Sequence, residues 1–148
     1  MRKRLLLLTL LMLVGLTLGC GSHKGKVSPL SADLAVQNVC IERNPAVAVQ
    51  DFLPVVENGF TRHGISHQVY LDDFPENCDA VVRYTALRSW DVTPFLRTAN
   101  IDVFKDSRKV AWIDYYHPHG FNPSKWASVE EKIGPLMDKM LIEYRRRQ

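Results

Sequence analysis

Between Val49 and Phe60 the apolar residues Val49, Phe52, Leu53, Val56 and Phe60 recur at intervals of three and four, the spacing of a helix with one buried face. Pro54 belongs in a first turn, so the regular part is expected to begin near Asp51, and Gly64 after Arg62 and His63 is a stop signal. Around this helix the period changes to two. Leu34 to Ile41 and Ile65 to Leu71 read as short strands, and Ala80 to Trp90 is a run rich in β-branched and aromatic residues. After Pro94, Phe95, Ala99, Ile101 and Val103 share one face while Thr98, Asn100 and Asp102 share the other, so one side of the sheet is wet. Asp106-Ser107-Arg108 is a tight turn into a last strand, Lys109 to His117, which predicts an antiparallel meander.

The final segment returns to the helical period. Ser128 and Glu131 have capping-box spacing, and Ile133, Leu136, Met137, Met140, Leu141 and Tyr144 form one stripe, with a bend expected at Gly134-Pro135. The order β-α-β-β-β-β-α predicts an α+β fold, a mainly antiparallel sheet with two helices packed on one face.

The first residues do not follow either period. Basic Arg2, Lys3 and Arg4 precede an apolar run from Leu5 to Leu18 that ends in Gly19-Cys20. This is the layout of a signal peptide, and the run is shorter than the ~20 residues of a permanent span. Thr17-Leu18-Gly19-Cys20 resembles the lipobox of bacterial lipoproteins. That resemblance implies cleavage after Gly19, acylation of Cys20 and, with Gly rather than Asp at position 21, sorting to the outer membrane, with the domain on the periplasmic side. The expected organisation is a signal peptide over 1–19, a lipidated terminus and flexible tether over 20–33, and one domain over 34–148.

Charge changes the picture only at that leader. The chain carries 19 Lys+Arg against 16 Asp+Glu, and without Arg2, Lys3 and Arg4 the two signs balance. A balanced domain argues against nucleic acid as a partner, since phosphate-binding proteins carry a basic surplus. Lipidation of Cys20 would leave Cys40 and Cys78, which an oxidising compartment allows to pair; the alternative is two buried thiols.

Cys78-Asp79-Ala80-Val81-Val82-Arg83-Tyr84-Thr85-Ala86-Leu87-Arg88-Ser89-Trp90-Asp91, with the strands after it and the closing helix, resembles the small bacterial lipoproteins of the Sbal type. The domain resembles more loosely the α+β module of other envelope lipoproteins and of TolB-like proteins. The resemblance implies no activity and no cofactor.

Candidate chemistry is sparse. His117-Pro118-His119 offers two imidazoles that could face one metal, with His23, His63 and His67 elsewhere, but a zinc or copper site needs three or four convergent ligands. Asp72, Asp73 and Glu76 crowd one loop without the glycine and alternation of a calcium loop. Ser107 and Ser124 lie in no nucleophile motif. Arg145-Arg146-Arg147 at a helix end favours the helix dipole, with anionic lipid as the other explanation. Tyr115 and Tyr116, adjacent in a strand, must point to opposite faces, so one could bind a partner on the wet side. The sequence therefore points to a non-enzymatic envelope lipoprotein that binds or scaffolds another protein. The alternative is a metal-handling or hydrolytic enzyme using His117 and His119.

Overall fold

A computed structural model of the chain describes residues 25–145 apart from 119 and 121. Among the described residues six strands form one sheet: β1 (Gly25–Ser28), β2 (Asn38–Glu42), β3 (Ser66–Tyr70), β4 (Ala80–Asp91), β5 (Thr93–Lys105) and β6 (Arg108–Tyr116). Their spatial order is β1-β6-β5-β4-β2-β3. The β4-β5-β6 meander and the β1-β6 pair are antiparallel, whereas β2 runs parallel to both β3 and β4. Helix α1 (Phe52–Arg62) joins β2 to β3, and α2 (Val129–Met140) with a further turn, α3 (Ile142–Arg145), closes the chain. The fold is α+β, mainly antiparallel, with both long helices on one face of the sheet.

The core lies between that face and the helices. It takes the alternate positions Val82, Tyr84 and Ala86 of β4, Ala99, Ile101 and Val103 of β5, and Ala111, Ile113 and Tyr115 of β6. Against them pack Phe52, Val56 and Phe60 from α1 and Ile133, Met137 and Met140 from α2. Gly59 allows the helices to approach closely, because a Cβ there would stand 2.7 Å from Cε of Met137.

The local signals explain the element ends. Asp106 and Ser107 have φ of 49° and 63°, the two left-handed residues of a type I′ hairpin. In the capping box the Ser128 amide donates to Glu131 Oε2 at 2.7 Å and the Glu131 amide donates to Ser128 Oγ at 3.2 Å. Ser128→Ala removes one half of this exchange, and an equilibrium denaturation curve should show a loss of about 1 kcal/mol. Pro135, where a bend is expected, sits inside α2, which runs on to Met140 and is interrupted at Leu141, before α3.

The N-terminal segment differs from the expectation of a flexible tether over 20–33. Gly25–Ser28 is an edge strand on β6, Leu30 is fully buried and donates its amide to the Met140 carbonyl at 2.8 Å, and Ala32–Leu34 is a 3-10 turn. The reason is the edge of β6, whose backbone groups need partners that Gly25–Ser28 supplies despite having one apolar residue, Val27. The domain therefore includes residues 25–33, and the first strand expected over Leu34 to Ile41 starts later, at Asn38.

The segment 71–79 carries the chain from β3 to β4, both parallel to β2 and on opposite sides of it. Val39 and Ile41 of β2 face the core, so Cys40 between them faces the side without helices. It is fully buried there by its disulfide with Cys78, whose Cα lies 5.6 Å away. The crossover thus passes over the helix-free face. Asp79 fastens its end: the amides of Gln37 and Asn38 both donate to its carboxylate at 2.8 Å, and those two bonds hold its pKa below the usual carboxylate value.

Candidate functional site

Among the described residues no helix covers the second face of the sheet, and its side chains follow from strand alternation. Rows run across β4, β5 and β6. Arg83 lies beside Asp102 and Trp112, Thr85 beside Asn100 and Asp114, and Leu87 beside Thr98 and Tyr116. Thr85, Asn100 and Asp114 form a hydrogen-bonded row: Thr85 Oγ1 donates to Asn100 Oδ1 at 3.4 Å, and Asn100 Nδ2 donates to Asp114 Oδ1 at 3.2 Å.

At the end of the face near the Asp106-Ser107 turn, the crossover segment forms a wall. Tyr70, Phe74 and Cys78 on one side and Val81, Arg83 and Phe104 beneath enclose a groove of about 430 Å³. Arg83 Nε donates to Glu42 Oε2 at 2.8 Å while its guanidinium lies 5.5 Å from the centre of the Phe104 ring. Tyr70 meets Phe74 edge to face, with ring centres 5.4 Å apart, and its hydroxyl donates to Glu42 at 3.4 Å. Burial first, then the Glu42 charge, raises the pKa of that hydroxyl. Lys109 pairs with Asp102 at 3.0 Å on the neighbouring rows. Such a set of planar rings, one guanidinium and neutralised carboxylates can recognise a polar partner with flat or aromatic groups. It contains no base aligned on a nucleophile.

The structure separates Tyr115 from Tyr116 as strand alternation requires. Tyr115 is fully buried, and burial pushes its hydroxyl pKa up to about 12. Tyr116 is 41% exposed on the open face, where Arg97 lies over its ring at 5.4 Å and donates to its hydroxyl at 3.3 Å.

Among the described residues the histidines do not converge. His117 is buried, with Nδ1 3.4 Å from the Tyr115 hydroxyl and its ring edge on Phe95. His119 lies outside the described residues, as do Cys20 and His23. His63 Nε2 meets Asp138 Oδ1 at 3.0 Å between the two long helices, and His67 faces Glu57 at 3.4 Å. Burial would raise the Asp138 pKa, but the His63 hydrogen bond and the Arg62 charge outweigh it and hold the carboxyl low. Among the described residues no three His, Cys, Asp or Glu side chains are grouped to hold a metal. Asp72, Asp73 and Glu76 are exposed, Ser107 lies at the hairpin turn, and Ser124 lies in the 3-10 turn Pro123–Trp126. Arg145 belongs to α3, beside which Tyr144 bonds the Val36 amide and the Ser31 carbonyl; Arg146 and Arg147 lie outside the described residues.

Sequence reasoning missed two buried cations. Lys132 occupies a stripe position of α2 between Val129 and Leu136, is 1% exposed, and donates to the carbonyls of Leu96 and Lys125. Lys125 pairs with Asp91 and lies 4.9 Å from the Trp126 ring, so the 3-10 turn is fastened to the β4–β5 hairpin. The signal was present, since an amphipathic stripe interrupted by one lysine places that lysine in the core.

No protein-family model matches the chain, and no curated protein matches it. The fold is similar to that of a solved structure, a PelC dodecamer from Paraburkholderia phytofirmans. The TM-score is 0.53 at 9% identity, over 82% of this chain and 96% of that one. A dodecamer of a PelC point variant from the same organism gives a TM-score of 0.45 at 12% identity, over 76% of this chain and 97% of that one. A minor lipoprotein from Acinetobacter baumannii gives 0.34 at 13% identity, over 76% of this chain and 89% of that one. The first of these places the chain in a known fold. Among the described residues no helix is long and apolar enough to cross a membrane.

Proposed function

We propose that the protein is a lipid-anchored cell-envelope lipoprotein of the outer membrane, held through Cys20, whose domain has a non-enzymatic binding or scaffolding role on the periplasmic side. The observation that carries this reading is the helix-free sheet face. A half-open antiparallel sheet exposes such a face to solvent, and here it presents Tyr116, Phe74 and the Arg83–Phe104 pair in place of a uniformly charged surface. The partner is another envelope protein. The lipobox-like Thr17-Leu18-Gly19-Cys20 supports the anchor, and the resemblance to Sbal-type lipoproteins agrees with it. The similar PelC structure is a dodecamer, which supports including further copies of this chain in the scaffold.

The test is a photo-crosslinking amino acid introduced at Phe74 or at Tyr116 in cells. Both positions should capture the same envelope protein, and Tyr116→Ala should lower the affinity of the purified pair about tenfold. Cys20→Ser, carried as a control, should leave the crosslink-competent domain unprocessed or free of the membrane. Capture of different, abundant proteins at the two positions, with no effect of Tyr116→Ala, would overturn the binding role.

A further inference from the structure

The β4–β5 hairpin extends past the rest of the sheet. Tyr116 is the last residue of β6 and pairs with Thr98 opposite Leu87. Beyond that row, Arg88 to Asp91 and Thr93 to Leu96 pair only with each other. The tip is unusually apolar for a solvent-facing turn: Trp90 is 73% exposed and Val92 78%, and Trp126 of the adjoining 3-10 turn is 39% exposed. Val92 stands at the turn with φ of 57°, a conformation that costs a β-branched residue and that Gly or Asn would adopt freely. A turn optimised for itself would not carry valine. The projection is held firmly, because Lys125 pairs with Asp91 and the Trp126 indole donates to the Asp91 carbonyl at 3.3 Å.

Strand β1 starts from the same end. Gly25 pairs with Tyr115, Tyr115 with Ala99, and Ala99 with Ala86, so Gly25 and Ala86 lie in one row. Because β1 is antiparallel to β6, it runs in the direction of β5, away from the hairpin tip, and so enters the sheet from the end where the hairpin projects. Cys20 lies five positions before Gly25, and five residues reach at most ~18 Å. From Ala86 to Val92 the hairpin rises six residues, about 20 Å. An acylated Cys20 would therefore hold the tip at the depth of the lipid headgroups. The α3 turn, by contrast, lies beside Ser31 and Val36, past the other end of β1, which places Arg145 away from the anchored end.

We infer that the β4–β5 hairpin tip, with Trp90, Val92 and Trp126, docks on the phospholipid surface that holds Cys20. The inference rests on the lipoprotein reading above. Tryptophan is enriched at the level of the headgroups, where its ring is apolar and its N–H is wet. Arg88 and Arg97 flank the tip and Lys125 neutralises Asp91, which suits anionic headgroups. Docking would fix the orientation of the domain, with the tip in the membrane and the Tyr70–Phe104 groove at the distal end, turned toward a partner.

The experiment uses the full lipidated protein in vesicles of phosphatidylethanolamine and phosphatidylglycerol with brominated acyl chains, which quench nearby tryptophan. Mass spectrometry of the same sample reads the lipid on Cys20. Of three tryptophans, one quenched fully removes about a third of the emission, so a loss of about a third or more is expected. Trp90→Phe, at an exposed position, should cut that loss by about half or more, whereas Trp112→Phe should preserve it. With Cys20 shown to be acylated, the absence of quenching, or equal quenching in both variants, overturns the docking and spares the anchor. Trp90 emission that shifts with protein concentration but is insensitive to brominated lipid assigns the tip to a second copy, and also overturns it. A Cys20 without lipid removes the anchor reading and the docking together.

Discussion

Replacing Cys40 and Cys78 together by alanine should lower the unfolding free energy by about 4 kcal/mol, and reduction of the wild-type chain should produce the same loss. The two cysteines are 38 residues apart, so their bond removes a large loop from the unfolded ensemble. That interval contains α1, β3 and the crossover, so the constraint spans the one part of the domain built from parallel pairing. Antiparallel β4, β5 and β6 meet through tight turns and need no such help. Strands β2, β3 and β4 must be brought together across longer connections, whose closure costs entropy before any contact forms. A denaturant titration monitored with and without reductant measures the difference. A loss under about 1 kcal/mol in both arms would mean that the crossover holds its place without the bond.

The same bond links stability to the proposed binding face. Cys78 is part of the groove wall, and Phe74 and Tyr70 flank it. Release of Cys78 leaves segment 71–79 held by hydrogen bonds only at its C-terminal end, through Asp79 and the Asn38 side chain, which donates to the Asn77 carbonyl, and by the ring contact of Phe74 with Tyr70. The cysteine variant should therefore lose partner capture at Phe74 before it loses capture at Tyr116, which belongs to the meander.

The elements that a sequence reader can recover here are those whose determinants are local. The capping box at Ser128 and Glu131, the Asp106-Ser107 turn and the helical stripe from Phe52 to Phe60 each depend on neighbours within a few residues. Alternation in β5 fixed which face would be wet, and alternation in β6 fixed that Tyr115 and Tyr116 would part. The determinants of β1 are not local. Gly-Lys-Val-Ser carries little strand signal, and it pairs because a distant strand, β6, has an unfilled edge. Parallel placement of β2 between β3 and β4 is likewise a property of the whole sheet. Neither periodicity nor turn chemistry reports it.

The candidate site shows the same division. The exposed aromatic at Tyr116 was legible because facing follows from period. The Tyr70–Phe74–Arg83–Phe104 groove was not, since it combines β3, the crossover, β4 and β5, brought together only by the crossover that the disulfide pins. His117 shows how little adjacency in sequence says about environment. A His-Pro-His triplet suggests chemistry from adjacency in sequence, yet the strand end turns His117 toward Tyr115 and Phe95 in the core.

Stability should rise between about pH 8 and pH 10, and Lys132 should be responsible. Burial lowers its pKa from the ordinary lysine value to about 8, against a smaller opposing effect of Glu131. Below pH 8 the ammonium is charged in both folded and unfolded chains, and the folded state carries the cost of burying it. Between the folded and unfolded values the unfolded chain binds the extra proton, so folding becomes more favourable as pH rises. The full span corresponds to about 3 kcal/mol. Tyr115 has the opposite sign. Its folded value of about 12 exceeds the unfolded one, so its contribution is complete below about pH 10 and is lost as pH climbs toward 12. The two effects together place a maximum near pH 10. Lys132→Met keeps most of the length of the side chain but removes the titrating ammonium, which lies 5.8 Å from the centre of the Phe95 ring. Chemical denaturation at intervals from pH 7 to 11 should show the rise in the wild type and a flat profile up to about pH 10 in Lys132→Met. A rise that persists in the variant would assign it to another group and return Lys132 to a purely structural part, with its ammonium fully satisfied by the Leu96 and Lys125 carbonyls.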